Sequence, residues 1–177
     1  MQNYIEMAEK NGFVLEDAGS CQFCGAPTTG GVHECLEIFN LSFQDIDFSS
    51  EENHIFRFFV VDAHTLQHPE IHGRWSNHFH LSRLHLIFHF DVQWSYRLSP
   101  RLSASLDSYK AQRGDEFLVV PEALKRGKIT SMDILRCDNS VDDRRGLIRK
   151  WAREVYSAWG ENHSVVDVVA RSFLGSL

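Results

Sequence analysis

Two groups of residues in this chain have the types and spacing to do chemistry. The segment CQFCGAPTTGGVHEC, residues 21–35, sets Cys21 and Cys24 three positions apart and Cys35 eleven residues after Cys24. A C-x-x-C turn lets two thiolates hold one ion, and Gly25 gives the backbone freedom to turn its amides toward the sulfurs. A third thiolate at the start of a helix gains from the helix dipole, which lowers a thiol pKa. The second group is VDAHTLQHPEIHGRWSNHFHLSRLHLIFH, residues 61–89, with His64, His68, His72, His78, His80, His85 and His89, seven of the ten histidines in the chain. Metal binding, acid–base chemistry and plain helix surface all draw on histidine.

Three sulfurs need one more donor to close a tetrahedron, and zinc is the metal such a set suits. His33, His68 and Cys137 can each supply it. His68 is preferred because it stands at a helix end, where the chain turns and a side chain can project. A redox role for the C-x-x-C pair is disfavoured, because the βαβ context of thioredoxin-like motifs is missing.

Successive residues turn about 100° around a helix axis, so the histidines sort by face. In the segment before Pro69, Ile55, Phe58, Phe59 and Leu66 share an apolar side with Asp62 in its middle, and Arg57, His64 and His68 lie opposite. A carboxylate among apolar groups must find a partner or take a proton. Asp62 is thus expected to anchor a neighbouring group or to support a metal-bound histidine. In the next helix His78, Ser82, His85 and His89 form one stripe, read as a wet face whose His85–His89 pair can chelate. His80 falls among the apolar residues. Toward the end, Ile148, Ala152, Val155, Trp159 and Val166 make a core side, with His163 at its edge, packed on the indole of Trp159.

The elements that must position these residues are mostly helical. Capping signals and breaks predict a short helix near the N-terminus and a turn-rich knuckle over 20–35. A helix is expected over about 33–45. The next starts at Ser49 or Ser50, backed by Glu51 and Glu52, and stops by Gln67, before Pro69. A further helix runs from Ser76 or Asn77 to about Phe90. Residues 92–128 read as mixed, broken at Pro100, Gly114, Pro121 and Gly127, with FLVVPEAL able to begin as a strand. Thr130 or Ser131 caps a brief helix, and Asn139 or Ser140 opens a last one to Leu174, weakened at Gly160. The fold class is mainly α: a small helical bundle with an N-terminal zinc-knuckle-like Cys loop and few or no strands. The whole chain, 1–177, reads as a single domain whose core helices lie in 50–90 and 138–175.

Composition narrows the function classes. Thirteen Phe and four Trp in 177 residues imply an aromatic core. A net charge of −6 and a pI near 5.9 argue against attachment to nucleic acid or anionic membrane by bulk charge. Arg144, Arg145, Arg149, Lys150 and Arg153 point in several directions around one helix and form no single stripe. No stretch approaches the roughly 18 apolar residues of a membrane span, and the acidic start lacks the apolar region of a signal peptide. A cytoplasmic protein with free or metal-bound cysteines is the expectation. Gly-rich phosphate loops, G-x-S-x-G and H-E-x-x-H are all missing.

CQFCGA (21–26), VDAHTLQHP (61–69) and WAREVYSAWGENH (151–163) together resemble a bacterial family of domains of unknown function, number 5946. So do the HL-x-x-L spacing of His80, Leu81 and Leu84, and GKITSMDIL (127–135). The resemblance implies shared positions at Cys21, Cys24, Cys35, Asp62, His68 and His80, and a common metal-binding fold, but no reaction. The chain departs from the family pattern at His64, where an aromatic is expected.

Two functions follow as expectations. One is a zinc protein with a structural site of Cys21, Cys24, Cys35 and His68, whose work is to bind another protein. The alternative is a metal-dependent enzyme, of the hydrolase kind, using an inter-helix pocket of Asp62, His68, His80 and His163. In it Asp62, His80 and His163 are the catalytic candidates. A nucleic-acid adaptor is weaker, given the acidic charge.

Overall fold

The computed structural model describes residues 2–50, 53–114, 116–137 and 140–176. Among these the chain forms eight α-helices and three short 3-10 turns, and no strand. The helices are α1 (Gln2–Lys10), α2 (Gly31–Leu41), α3 (His54–Gln67), α4 (Arg74–Phe88), α5 (Ser99–Arg113), α6 (Ser131–Leu135), α7 (Val141–Ala158) and α8 (His163–Leu174). None is long and apolar enough to cross a membrane.

Helix α3 is the element around which the others are arranged. One side packs on α7 and α4, and α8 in turn lies against α4 and α5. Phe59, Leu66, Leu81, Leu84, Trp151, Val155 and Trp159 fill this inner core. Each such side chain contributes about 1.5–3 kcal/mol on burial. A second cluster under the Cys loop joins Phe23, Ala26, Val32, Leu36 and Ile71 to the cysteines. Because the bundle covers one side of α3 and the Cys loop with α2 covers the other, nearly all of α3 is buried. That explains why His64 and His68, opposite the apolar side, do not face solvent.

Several expected boundaries move. Helix α3 begins at His54, where the Ser50 carbonyl accepts from the amides of Asn53 and His54. The acidic pair Glu51 and Glu52 lies outside the described residues, as does Asn139. Helix α4 begins at Arg74 with Gly73 as its cap, ahead of Ser76 and Asn77; Asn77 instead donates its side-chain amide to the Pro69 carbonyl at 3.3 Å. Pro100, read as a break, sits in the first turn of α5. There a missing N–H costs nothing, because the first helical amides have no partner within the helix.

The FLVVP segment forms no strand. Its one ladder-like pairing is with a side chain: Asn162 accepts from the Val119 amide at 2.7 Å and donates to its carbonyl at 2.8 Å. Capping boxes do open α6 at Thr130–Asp133 and α7 at Ser140–Asp143. The last helix is two helices, α7 and α8, separated by a 3-10 turn at Gly160–Asn162. The extra surfaces of α5 and α8 also overturn the wet stripe on α4. His78 and His85 are buried under them, and of the three stripe histidines only His89 is exposed.

Candidate metal centre

The Cys loop is built by short hydrogen bonds. Cys21 donates its amide to the Ala26 carbonyl at 3.0 Å, and Gly25 donates to the Cys21 carbonyl at 2.9 Å. Gly25 adopts φ +77°, which a side chain would disfavour. Its amide therefore closes the turn through a carbonyl rather than through a sulfur. At Gly31 the need for glycine is stricter. With φ +57°, any Cβ there would stand 2.0 Å from the Glu16 carbonyl oxygen. This close approach lets Gly31 and Val32 donate to the Gly19 and Glu16 carbonyls and lays the start of α2 against the loop. Glu34 then caps α2, accepting from the amides of Gly30 at 2.6 Å and Thr29 at 2.7 Å. Those bonds hold its carboxyl below the usual range. Cys35 follows on α2, fully buried.

His68 arrives from the other side. It is the residue at which α3 ends, with φ −124° and ψ 46°. Its Nδ1–H donates to the His64 carbonyl at 2.8 Å, so Nε2 is the ring nitrogen that faces the sulfurs. A ligating histidine is oriented in this way by a carbonyl on its other nitrogen. Nε2 lies 3.5 Å from both Cys21 Sγ and Cys35 Sγ, and Cys24 Sγ lies 3.6 Å from Cys35 Sγ. All four donor atoms fall within 4.8 Å of one another. A zinc tetrahedron with its usual bond lengths has edges of ~3.8 Å between sulfurs and ~3.6 Å between sulfur and nitrogen. The residues present fit a tetrahedral ion.

The electrostatics of the cluster also call for a cation. Hydrogen bonds from Cys24 and Cys35 pull the Cys21 thiol far down, while the same contacts, with burial, push Cys24 up. Three thiolates this close repel, so a cluster on its own keeps protons on some of them. Burial opposes a charge on His68, yet its hydrogen bonds to Cys21 and Cys35 and their negative charge push it up to about 10. A proton on His68 and a metal ion at the centre answer the same need.

The loop carrying His68 is tied to the bundle by neighbours that the sequence reading passed over. Trp151 donates its indole N–H to Gln67 Oε1 at 2.9 Å, and Gln67 Nε2 donates to the Ile129 and Arg126 carbonyls. Arg126, buried, donates to both oxygens of Glu70 at 2.9 and 2.6 Å and to the Gln67 carbonyl. Trp159 donates to the Leu66 carbonyl at 3.0 Å. Gln67 and Glu70 adjoin His68 in LQHPE, which is the signal that could have marked them; Arg126 carries none.

The other candidates sort into separate places. Asp62 is wholly buried, accepting from His80 Nδ1 at 2.6 Å and from the guanidinium of Arg83 through both oxygens. Burial works against its charge, but Arg83 and His80 outweigh it and hold the carboxyl below its ordinary value. The guanidinium also lies over the rings of Phe58 and Phe79. This is the anchoring role: the pair clamps α3 to α4. His163 is elsewhere, stacked on Tyr156 at 4.1 Å rather than on the indole of Trp159, with Nε2 donating to the Tyr156 carbonyl. Asp62, His68, His80 and His163 thus do not converge on one pocket. His64 stacks between Phe39 and His68 and contributes its carbonyl, not its ring. Neither His33 nor Cys137 belongs to the sulfur cluster, which among the described residues consists of Cys21, Cys24, Cys35 and His68.

Comparison with known proteins identifies one family. A model described as a family of unknown function, DUF5946, matches residues 19–160, a span that holds every residue of the cluster. No curated protein matches the chain, and neither does any solved structure.

Proposed function

We propose that this chain, which belongs to the DUF5946 family of unknown function, is a zinc protein whose Cys21, Cys24, Cys35 and His68 hold a structural ion and whose work is to bind another protein. One observation carries the zinc reading: four buried donors at tetrahedral spacing, all supplied by the chain itself. A site with four protein ligands has no position left for substrate, and its binding energy goes into folding. Bound zinc would neutralise the thiolates and fasten the Cys loop to the end of α3. A reducing, cytoplasmic setting suits thiols kept free for a metal.

The protein-binding part rests on the surface beside the loop. A cleft of about 860 Å3 is lined by Leu124, Lys125, Lys128, Lys150, Arg153 and Glu154, among others. Of these cations only Lys125 has a carboxylate partner among the described residues, Glu122 at 2.6 Å. Glu154 is engaged with the amides of Lys128 and Ile129. Leu124, exposed at the rim, is held at φ +66° by donating its amide to the Phe23 carbonyl of the Cys loop. Lys128, Lys150 and Arg153, the last lying over the Phe88 ring at 4.6 Å, have no carboxylate partner among the described residues, and with an exposed leucine they suit an acidic protein segment with apolar side chains. The Cys loop fixes the rim, so metal binding and partner binding are linked.

Purified protein dialysed to clear exchangeable metal should carry one equivalent of zinc by elemental analysis, and Cys35→Ser treated alike should carry none. Protein that takes up no zinc overturns the structural-site reading. For the cleft, a fluorescent Glu/Leu peptide should bind the parent and lose at least about tenfold in affinity to Lys150→Glu/Arg153→Glu. Equal peptide binding by both, or a preference for single-stranded DNA over the peptide, overturns the assigned partner class.

A further inference from the structure

A second group of donors lies far from the sulfurs, where α4 meets α8. His85 and His89 occupy positions i and i+4, and Asp167 reaches them from α8. Their ligand atoms all fall within 4.8 Å of one another. We propose that His85, His89 and Asp167 form an open site for a divalent transition metal, with two imidazoles and one carboxylate as its protein ligands.

The geometry carries this in three ways. First, His85 Nε2 stands 3.4 Å from Asp167 Oδ1. That is long for a hydrogen bond, whose usual span is about 2.7–3.2 Å. It equals the ~3.4 Å edge of a tetrahedron drawn with ordinary metal–nitrogen and metal–oxygen bonds. Second, the ligand atoms of His85 and His89 already lie within 4.8 Å of each other, and the rings stack 17° from parallel, so a rotation of the exposed His89 ring brings both nitrogens onto one ion. Third, the donors are held from behind. The Tyr156 hydroxyl lies 2.8 Å from His85 Nδ1, and Arg171 donates to Asp167 Oδ2 at 2.6 Å, leaving Oδ1 toward the histidines. Partners of this kind orient metal ligands.

Exposure defines the type of site. The His85 side chain is 3% exposed, that of Asp167 25%, and His89 is open to solvent. An ion there would be anchored on the inside and accessible on the outside, with coordination positions left for water or an anion. Two imidazoles and a carboxylate select Zn2+, Ni2+ or Cu2+ over Mg2+ and Ca2+. The Arg171 charge on the same carboxylate weakens the site, so it should exchange its metal where the sulfur cluster does not. His163, with its ring 5.5 Å from that of His85, flanks the site, but its ligand atoms do not fall within the 4.8 Å group.

Tag-free protein with its full native zinc content, titrated with Ni2+ by calorimetry, tests this. One equivalent should bind without displacing zinc, and His89→Ala and Asp167→Asn should each weaken it by about 10–100-fold. Because His89 is exposed, its replacement leaves the fold intact, which an unchanged circular dichroism spectrum and zinc content verify. No uptake of Ni2+, or uptake unchanged in His89→Ala, overturns the proposal.

Discussion

The sulfur cluster and the His85–His89–Asp167 cluster both join a histidine from the α3–α4 hairpin to residues distant in sequence, yet they differ in closure. Around Nε2 of His68, buried thiolates from a loop and a helix complete the shell. Around Nε2 of His85, one carboxylate and one exposed ring leave it unfinished. Donor type and burial together separate the two. Thiolates packed under Phe23 and Leu36 are excluded from water, so all three cannot be charged together without an ion. At the α4–α8 seam burial favours the neutral form of His85, which needs no ion to fold. A metal is therefore expected to be part of the fold at the first site and a ligand at the second.

The sharpest way to break this contrast is to remove a sulfur. Cys35→Ser should cost roughly 5 kcal/mol or more, below the ~10–16 kcal/mol of an isolated zinc finger because the bundle has its own core. At this chain length that is a fall in Tm of at least ~10 °C, read by calorimetry. A variant as stable as the parent would mean that the first site is no more structural than the second.

Asp62 serves as a reference, being closed by side chains alone. Asp62→Asn leaves the buried Arg83 without its counter-charge and should cost about 3–5 kcal/mol in denaturant unfolding. A loss under 1 kcal/mol would show that His80 and the aromatic rings suffice to hold the guanidinium.

Acid should act next. Burial pushes His72 to about 3 and His78 to about 4. Unfolded, both titrate near ~6.5. Each of these two rings therefore takes up a proton on unfolding near pH 5, and each should lower stability by about 1.4 kcal/mol per pH unit between about pH 6 and pH 5. Asp62, with its lowered pKa, contributes above the carboxylate range and is lost only at lower pH. A flat stability profile from pH 7 to pH 5 would contradict the burial of these rings. The smallest effect belongs to the open site: His89→Ala should change unfolding free energy by less than about 0.5 kcal/mol. A larger loss would mean that the second cluster is structural too.

Much of this was legible from residue types. Helix α3 ends where Pro69 requires it to. Thr130 and Ser140 cap as their Asp partners three residues later suggest, and the C-x-x-C turn closes around Gly25. Asp62 demanded a partner from its place in an apolar stripe, and found two. The errors share a cause. Pro100 reads as a break because local rules do not say which turn of a helix a proline occupies. The α4 histidines were read as wet because helical periodicity marks a polar stripe without marking what covers it, and here α5 and α8 do. FLVVP has strand composition, but its partner is the Asn162 amide, which no pattern in the segment announces.

The sequence by itself determined the donors. Cys21, Cys24 and Cys35 are close along the chain, and short loops hold such residues together whatever else the fold does. Only the tertiary structure decided which further donor joins them, because the helix-end position that favours His68 over His33 and Cys137 does not bring it to the sulfurs. The choice of His68 depends on α3 ending against the Cys loop, which in turn depends on Arg126 and Trp151 holding Glu70 and Gln67 at that end from 56 and 84 residues away. Spacing sets local proximity, whereas long-range packing sets which distant group completes a site, and that packing is the sum of contacts no short stretch contains.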